Sequence, residues 1–282
     1  AMDMVKVMAM AMDMATEDTQ MKKTLNILKK MKVSFSVPRV IAEIGCNHMG
    51  DFDLAKKMIN SVAKTGADAV KFQTFIPEKY VNSKNKKRLK QLKKFQLSIE
   101  QFKRLRDYAK KKKLLFFSTP FDVESAIKLN KFQSIFKISS GDNNFLELIE
   151  TIAGFGKPII ISTGFADYKL LKYIYKKIIN IWEKKKVKSQ IIFMHCVSDY
   201  PVEDRFANLN AISTLRQNFK KCIIGYSDHT LGTHCAEYSV LLGAKVIEKH
   251  FTIDNNFSKF RDHKISANPK SFKKLTSKIR NI

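Results

Sequence analysis

The amino-acid sequence predicts a (β/α)8 barrel, and three observations carry that expectation. Short apolar, β-branched runs alternate eight times with amphipathic helical stretches, and a chain of 282 residues has the length that one closed barrel fills. Nearly every apolar run also ends in a cluster of polar, chemistry-capable residues: EIGCNH, KFQT, STPFD, KISSGDNN, ISTG, HCVSDYP, GYSDHT and EKHFT. Parallel strands joined by right-handed helical crossovers close on themselves, and such barrels gather their reactive groups at the C-terminal ends of the strands.

The predicted strands span residues 40–44, 69–72, 114–117, 135–138, 158–161, 190–194, 222–226 and 246–251. Their near-continuous apolar character is that of parallel strands buried on both faces. Between the first two, residues 53–64 place Leu54, Met58 and Val62 on one helical stripe that closes at Gly66. Ser98 and Gln101 have capping-box spacing ahead of Phe102, Leu105, Tyr108 and Ala109. Helical patterns follow over 124–129, 146–153, 168–185, 209–218 and 234–242, and a last helix over 268–279 has Pro269 in its first turn.

Composition excludes several classes. With 44% hydrophobic residues the chain can bury a full core, so a disordered chain, a collagen-like repeat and a disulfide-stapled miniprotein are all poor fits. The four cysteines are widely separated and form no C-x-x-C pair, which is expected of a cytoplasmic protein. No apolar run is long enough for a membrane helix. The 52 Lys and Arg against 26 Asp and Glu give a net charge of +26, dominated by lysine. Lysine-rich runs at 84–94 and 110–113 read as solvated faces and loops. Without arginine-based base readout or an aromatic platform, the charge does not predict nucleic-acid binding. Residues 1–20 hold six of the eleven methionines and repeat AMDM, so they read as a disordered or appended extension, with the barrel domain expected over 21–282.

Strand alternation selects the candidates. Positions two apart share a face. Glu43 shares parity with Gly45 and Asn47, Lys71 with Gln73, Ser227 with His229, and Glu248 with His250. These would point inward, with Ile44, Phe72, Ile247 and Phe251 facing the helices. His229 and His250 end neighbouring strands and either hold one divalent metal or are hydrogen-bonded there without one. Lys71, Thr119, Lys137, Ser140, Ser162 and Ser227 supply the cations and hydroxyls that bind a phosphate ester. Glu43 and Asp142 are either acid/base carboxylates or salt-bridge partners of Lys71 and Lys137. Cys196 follows His195 directly, so the two point to opposite faces and do not make a nucleophile pair. No Walker A loop or G-x-G-x-x-G motif occurs.

Nine motifs in order closely resemble the sialic acid synthase family: IAEIGCNHMGD (41–51), AVKFQTF (69–75), FFSTPFD (116–122), FKISSGDNNF (136–145), ISTG (161–164), HCVSDYP (195–201), GYSDHTLG (225–232), EKHFT (248–252) and RDHKISANP (261–269). The resemblance covers the chain from about Val40 onward. It implies condensation of phosphoenolpyruvate with N-acetylmannosamine or a related N-acetylated aldose, giving a nine-carbon 2-keto acid and phosphate by C–O cleavage. By the same resemblance His229 and His250 are the Mn2+ or Mg2+ ligands, and Lys71, Thr119, Lys137, Ser140, Ser162 and Ser227 hold phosphoenolpyruvate. Glu43 and Asp142 form the acid/base pair, while Gln73, Tyr200 and Asp262 contact the sugar. The expected partners are these small molecules and a second copy of the chain in a homodimer.

Many bacterial members carry Glu where Asp142 stands, and the SGD-x-N form is closer to animal members that use the 6-phosphate of N-acetylmannosamine. Legionaminic and pseudaminic acid synthesis are the neighbouring activities. Family members usually continue into an antifreeze-like domain, whereas this sequence covers the barrel alone. That leaves a weakly active phosphosugar-binding barrel as the rival expectation.

Overall fold

The computed structural model describes residues 37–282. The expected extension at 1–20 and the first part of the expected barrel domain, 21–36, lie outside the described residues. Eight strands form one parallel sheet: β1 Arg39–Gly45, β2 Ala69–Thr74, β3 Leu115–Pro120, β4 Phe136–Ile138, β5 Ile159–Ser162, β6 Ile191–Cys196, β7 Ile223–Asp228 and β8 Val246–His250. The order is β3-β2-β1-β8-β7-β6-β5-β4, and the two end strands lie against each other, so the sheet curls into a barrel. All eight predicted strands are present, most displaced by a residue or two at their ends.

Helices cover the outside. They are α1 Phe52–Val62, α2 Pro77–Tyr80, α3 Lys86–Phe95, α4 Ile99–Lys111, α5 Val123–Asn130, α6 Leu146–Gly154, α7 Tyr168–Lys184, α8 Ala211–Asn218, α9 His234–Leu241, α10 Arg261–Ile265 and α11 Pro269–Asn281. Local chemistry sets where several begin. Asp51, Asp122, Asp167 and Asn268 each accept a backbone N–H of the helix they precede, and Ser98 with Gln101 completes the expected capping box. Outward-facing strand residues Ile44, Phe72, Ile247 and Phe251 are completely buried with Met58, Phe102 and Phe272 from the helices. The expected inside–outside alternation therefore holds at these positions.

One stretch departs from expectation. Most of 84–94, read as a solvated run or loop, is α3, started by Asn85 accepting from the Arg88 N–H. Its lysines face solvent, but Leu92 and Phe95 pack with Cys46, Phe75 and Phe121 in a small second core above the barrel mouth. Burying one such side chain contributes about 1.5–3 kcal/mol, which is enough to seat a short, highly charged helix. Together α2, α3 and α10 form a rim over the C-terminal ends of β1, β2 and β8. Among the described residues no helix is long and apolar enough to cross a membrane.

Candidate active site

Strand register brings the chemistry together. Glu43 is paired with Lys71 across β1 and β2 and with His250 across β1 and β8, Gln73 with Thr119, and Ser227 with Glu248. Inward-facing residues in register are side-chain neighbours. Between Glu43 and Gly45 the β1–β2 register shifts, and Gly45 takes a φ of +54°. A Cβ there would stand 3.1 Å from Glu43 Oε1 and 3.3 Å from the Gln73 amide nitrogen, so glycine leaves those side chains room to meet.

At the C-terminal ends of the strands opens a cavity of about 310 Å³. Of the thirteen residues named from the sequence, twelve line it: Glu43, Lys71, Gln73, Thr119, Lys137, Ser140, Ser162, Tyr200, Ser227, His229, His250 and Asp262. Asp142 does not. It ends the short 3-10 turn Ser140–Asp142, and its carboxylate accepts a hydrogen bond from Ser139, which does reach the cavity. Burial raises the Asp142 carboxyl above its ordinary range.

A charged chain crosses the floor. Lys71 Nζ stands 2.9 Å from Glu43 Oε2, 3.5 Å from Glu248 Oε1 and 3.1 Å from Thr119 Oγ1. Lys137 Nζ is 3.5 Å from the same Glu248 oxygen, to which Ser227 Oγ also donates at 3.2 Å. Gln73 donates to Glu43 Oε1 at 3.1 Å. Burial dominates Glu43 and pushes its carboxyl up to about 7, against the pull of Lys71. Glu248 is equally buried, but the two lysines outweigh burial and hold it below the usual carboxylate range. Burial lowers the Lys137 amine, whereas for Lys71 it is overcome by Glu248 and Glu43, which raise it.

Around this floor five buried polar atoms lack a hydrogen-bond partner in the protein: Ser140 Oγ, Ser162 Oγ, Ser198 Oγ, Glu248 Oε2 and His250 Nδ1. Buried groups of this kind ordinarily find a partner, so their concentration around one cavity marks a place built for a polar ligand. The serine side is shaped by Gly164. A Cβ there would collide with Ser198 Oγ and lie 2.7 Å from Ser140 Oγ. Asn143 fixes this turn by donating to the carbonyls of Ser162 and Gly164, at 3.3 and 2.6 Å.

The two histidines sit with ring centroids 5.5 Å apart. His229 Nδ1 donates to the Val197 carbonyl at 2.8 Å, which leaves the lone pair on Nε2, and Tyr200 stacks on the ring at 4.2 Å. His250 Nδ1 has no hydrogen-bond partner and is 4.0 Å from Asp262 Oδ2, and burial holds the ring well below its usual pKa, hence neutral. For His229 burial is outweighed by Cys196 and the Val197 carbonyl, which raise its pKa, so an ion held by the two imidazoles would have to displace a proton there, with water or substrate in its remaining positions.

As expected from strand geometry, His195 and Cys196 point apart. His195 Nε2 bonds the Ala207 carbonyl at 2.8 Å, while Cys196 lines the cavity with its sulfur 3.8 Å from His229 Nδ1. Sequence reasoning did not assign a role to Glu248, although its parity with His250 pointed to it. It also missed Ser198, Asn143 and the rim residues Tyr80, Arg88, Phe260 and Arg261. These lie on loops and short helices, where no period announces which side chain faces in.

Residues 58–282 match the NeuB family. The chain is 42% identical over 258 residues to the N,N'-diacetyllegionaminic acid synthase of Campylobacter jejuni, covering 86% of this chain and 75% of that protein. It is 34% identical to the N-acetylneuraminate-9-phosphate synthase of Drosophila melanogaster, covering 86% of this chain and 67% of that one. Among solved structures, the N-acetylneuraminic acid synthetase of Leptospira borgpetersenii superposes with a TM-score of 0.80 at 36% identity, over 87% of this chain and 83% of the other. Barrel, cavity and sequence thus agree, and the chain belongs to the NeuB family.

Proposed function

We propose that the protein condenses phosphoenolpyruvate with an N-acetylated aldose, N-acetylmannosamine or a close relative, to give a nine-carbon 2-keto sugar acid and inorganic phosphate. The observation that carries this reading is the meeting of two buried lysines on one glutamate oxygen, beside partnerless serine hydroxyls and two histidines. Lysine ammoniums and hydroxyls converging from several strand ends suit a phosphorylated carboxylate. The names of the relatives, synthases of legionaminic and neuraminic acids, support the same class of product.

In this reading Lys71, Thr119, Lys137, Ser140, Ser162 and Ser227 bind and orient phosphoenolpyruvate. Gln73, Tyr200 and Asp262 contact the sugar. C3 of the enol bonds to the aldehyde carbon, whose oxygen takes a proton; water adds at C2, and the C2–O bond breaks to release phosphate. Glu43, with a carboxyl near 7, can hold or give a proton at neutral pH from either oxygen. Asp142, one hydrogen bond behind Ser139, acts as a positioning residue. His229 and His250 would hold Mn2+ or Mg2+, which as a Lewis acid polarises the aldehyde oxygen.

The test is phosphate release from phosphoenolpyruvate with Mn2+ across N-acetylmannosamine, its 6-phosphate and the diacetamido hexoses that lead to legionaminic and pseudaminic acids. Release that depends on one sugar supports the reading and names the acceptor. Release without any sugar, or none with every acceptor, contradicts it.

A further inference from the structure

We propose that Asp204, His234 and Cys235 form a second cation site, separate from the candidate catalytic histidines, that takes Zn2+ or another thiophilic divalent ion in preference to Mg2+ or Mn2+. Asp204 opens the short 3-10 turn Asp204–Phe206 between β6 and α8, and His234 and Cys235 are the first two residues of α9. His234 Nε2 is 2.6 Å from Asp204 Oδ2, Cys235 Sγ is 3.8 Å from Asp204 Oδ1, and the three ligand atoms all lie within 4.8 Å of one another. Among the described residues this is the one group of three such side chains drawn so close.

The donor set decides the ion. Zinc bonds at about 2.3 Å to sulfur and about 2.0–2.2 Å to nitrogen and oxygen, so tetrahedral donors stand roughly 3.3–3.8 Å apart. Cys235 Sγ already meets that spacing to Asp204 Oδ1, while His234 faces Oδ2, so the carboxylate has to turn to present one oxygen to the ion. The His234–Asp204 contact has to open by roughly 1 Å, and both side chains, 44% and 55% exposed, are free to swing. Cys235, 3% exposed, is the fixed member. Three protein ligands leave one position for water. A sulfur donor disfavours Mg2+ and Mn2+ and favours Zn2+. Burial pushes the Cys235 thiol up to about 11, so loading exchanges the thiol proton, released to solvent, for the metal–sulfur bond.

The site would act as a clasp. Val202 bridges Thr230, and its N–H donates to the His229 carbonyl at 3.0 Å, so the loops after β6 and β7 are already tied where they carry Tyr200 and His229. An ion joining Asp204 to α9 adds a second tie between the same two loops.

The test titrates Co2+ into the full chain and reads thiolate-to-cobalt charge-transfer absorption in the wild type, Cys235→Ser and Cys196→Ser. The thermal midpoint is measured with Zn2+ and with Mg2+. The absorption is expected in the wild type and in Cys196→Ser and absent from Cys235→Ser, with stabilisation by Zn2+ but not by Mg2+. His234→Ala alters an exposed side chain and keeps the test open if Cys235→Ser fails to fold; it should weaken Zn2+ binding about tenfold or more. No charge-transfer band in the wild type, a band that survives Cys235→Ser, or Zn2+ affinity unchanged in His234→Ala would overturn the proposal.

Discussion

Lys71 Nζ and Glu43 Oε2 stand 2.9 Å apart on neighbouring strands, and each residue exposes no more than 3% of its surface. The pair is unequal. Burial pushes the Glu43 carboxyl up to about 7, so that it takes up a proton readily near neutral pH, while Glu248 and Glu43 outweigh burial and hold Lys71 charged. Removing Lys71 leaves Glu43 without its cation and Glu248 with Lys137 alone, whereas neutralising Glu43 removes a charge that burial disfavours. Lys71→Met is therefore expected to cost about 3–5 kcal/mol of stability, and Glu43→Gln markedly less, measured by urea denaturation at pH 7. Equal losses would show that Glu43 is fully ionised in the fold.

Glu43 also has a kinetic signature. If it moves the proton in the proposed condensation, kcat/KM should show a limb near pH 7. Glu43→Gln should abolish that limb and lower kcat about 10²–10⁴-fold. A limb that persists in the variant would assign the proton to another group.

The barrel's strands and the face each residue occupies were legible in the sequence because a buried parallel strand has an unmistakable apolar run and a strict period of two. That is why Glu43, Lys71, Ser227, His229 and His250 could be placed on one wall before any geometry was known. The rim was not legible. The lysines of α3 masked Leu92 and Phe95, and the inward turn of Arg88 and Arg261 depends on how short helices seat on the barrel. Asp142 belongs to a turn beyond β4, where strand parity does not apply, and its carboxylate meets Ser139.

His229→Ala and His250→Ala should each weaken Mn2+ binding about tenfold or more by calorimetry, since each would remove one of the two imidazoles of the proposed site. If both variants titrate like the parent, the histidines are not the ligands.

A side chain at Gly164 should disturb the proposed donor site. The Cβ of Gly164→Ala would intrude on Ser140 and Ser198, so KM for phosphoenolpyruvate should rise about tenfold or more while thermal stability changes little. An unchanged KM would remove Ser140 from the donor site.

His48, outside the cavity, gives a stability test. It is buried and accepts the Gly50 N–H on Nδ1, and burial lowers its pKa to about 4. The fold holds the neutral ring, so its contribution is fully present above the unfolded value of 6.5 and is lost as pH falls through 4. The loss should approach about 3 kcal/mol, and His48→Gln should flatten this part of the stability profile between pH 7 and 4.

The most direct test of the proposed condensation uses phosphoenolpyruvate labelled with 18O at the bridging C–O–P oxygen, incubated with Mn2+ and the active acceptor, with both products read by mass spectrometry. The account predicts a nine-carbon 2-keto acid and phosphate in equal amounts, with the label in the phosphate. Labelled pyruvate, or phosphate formed without the keto acid, would contradict it.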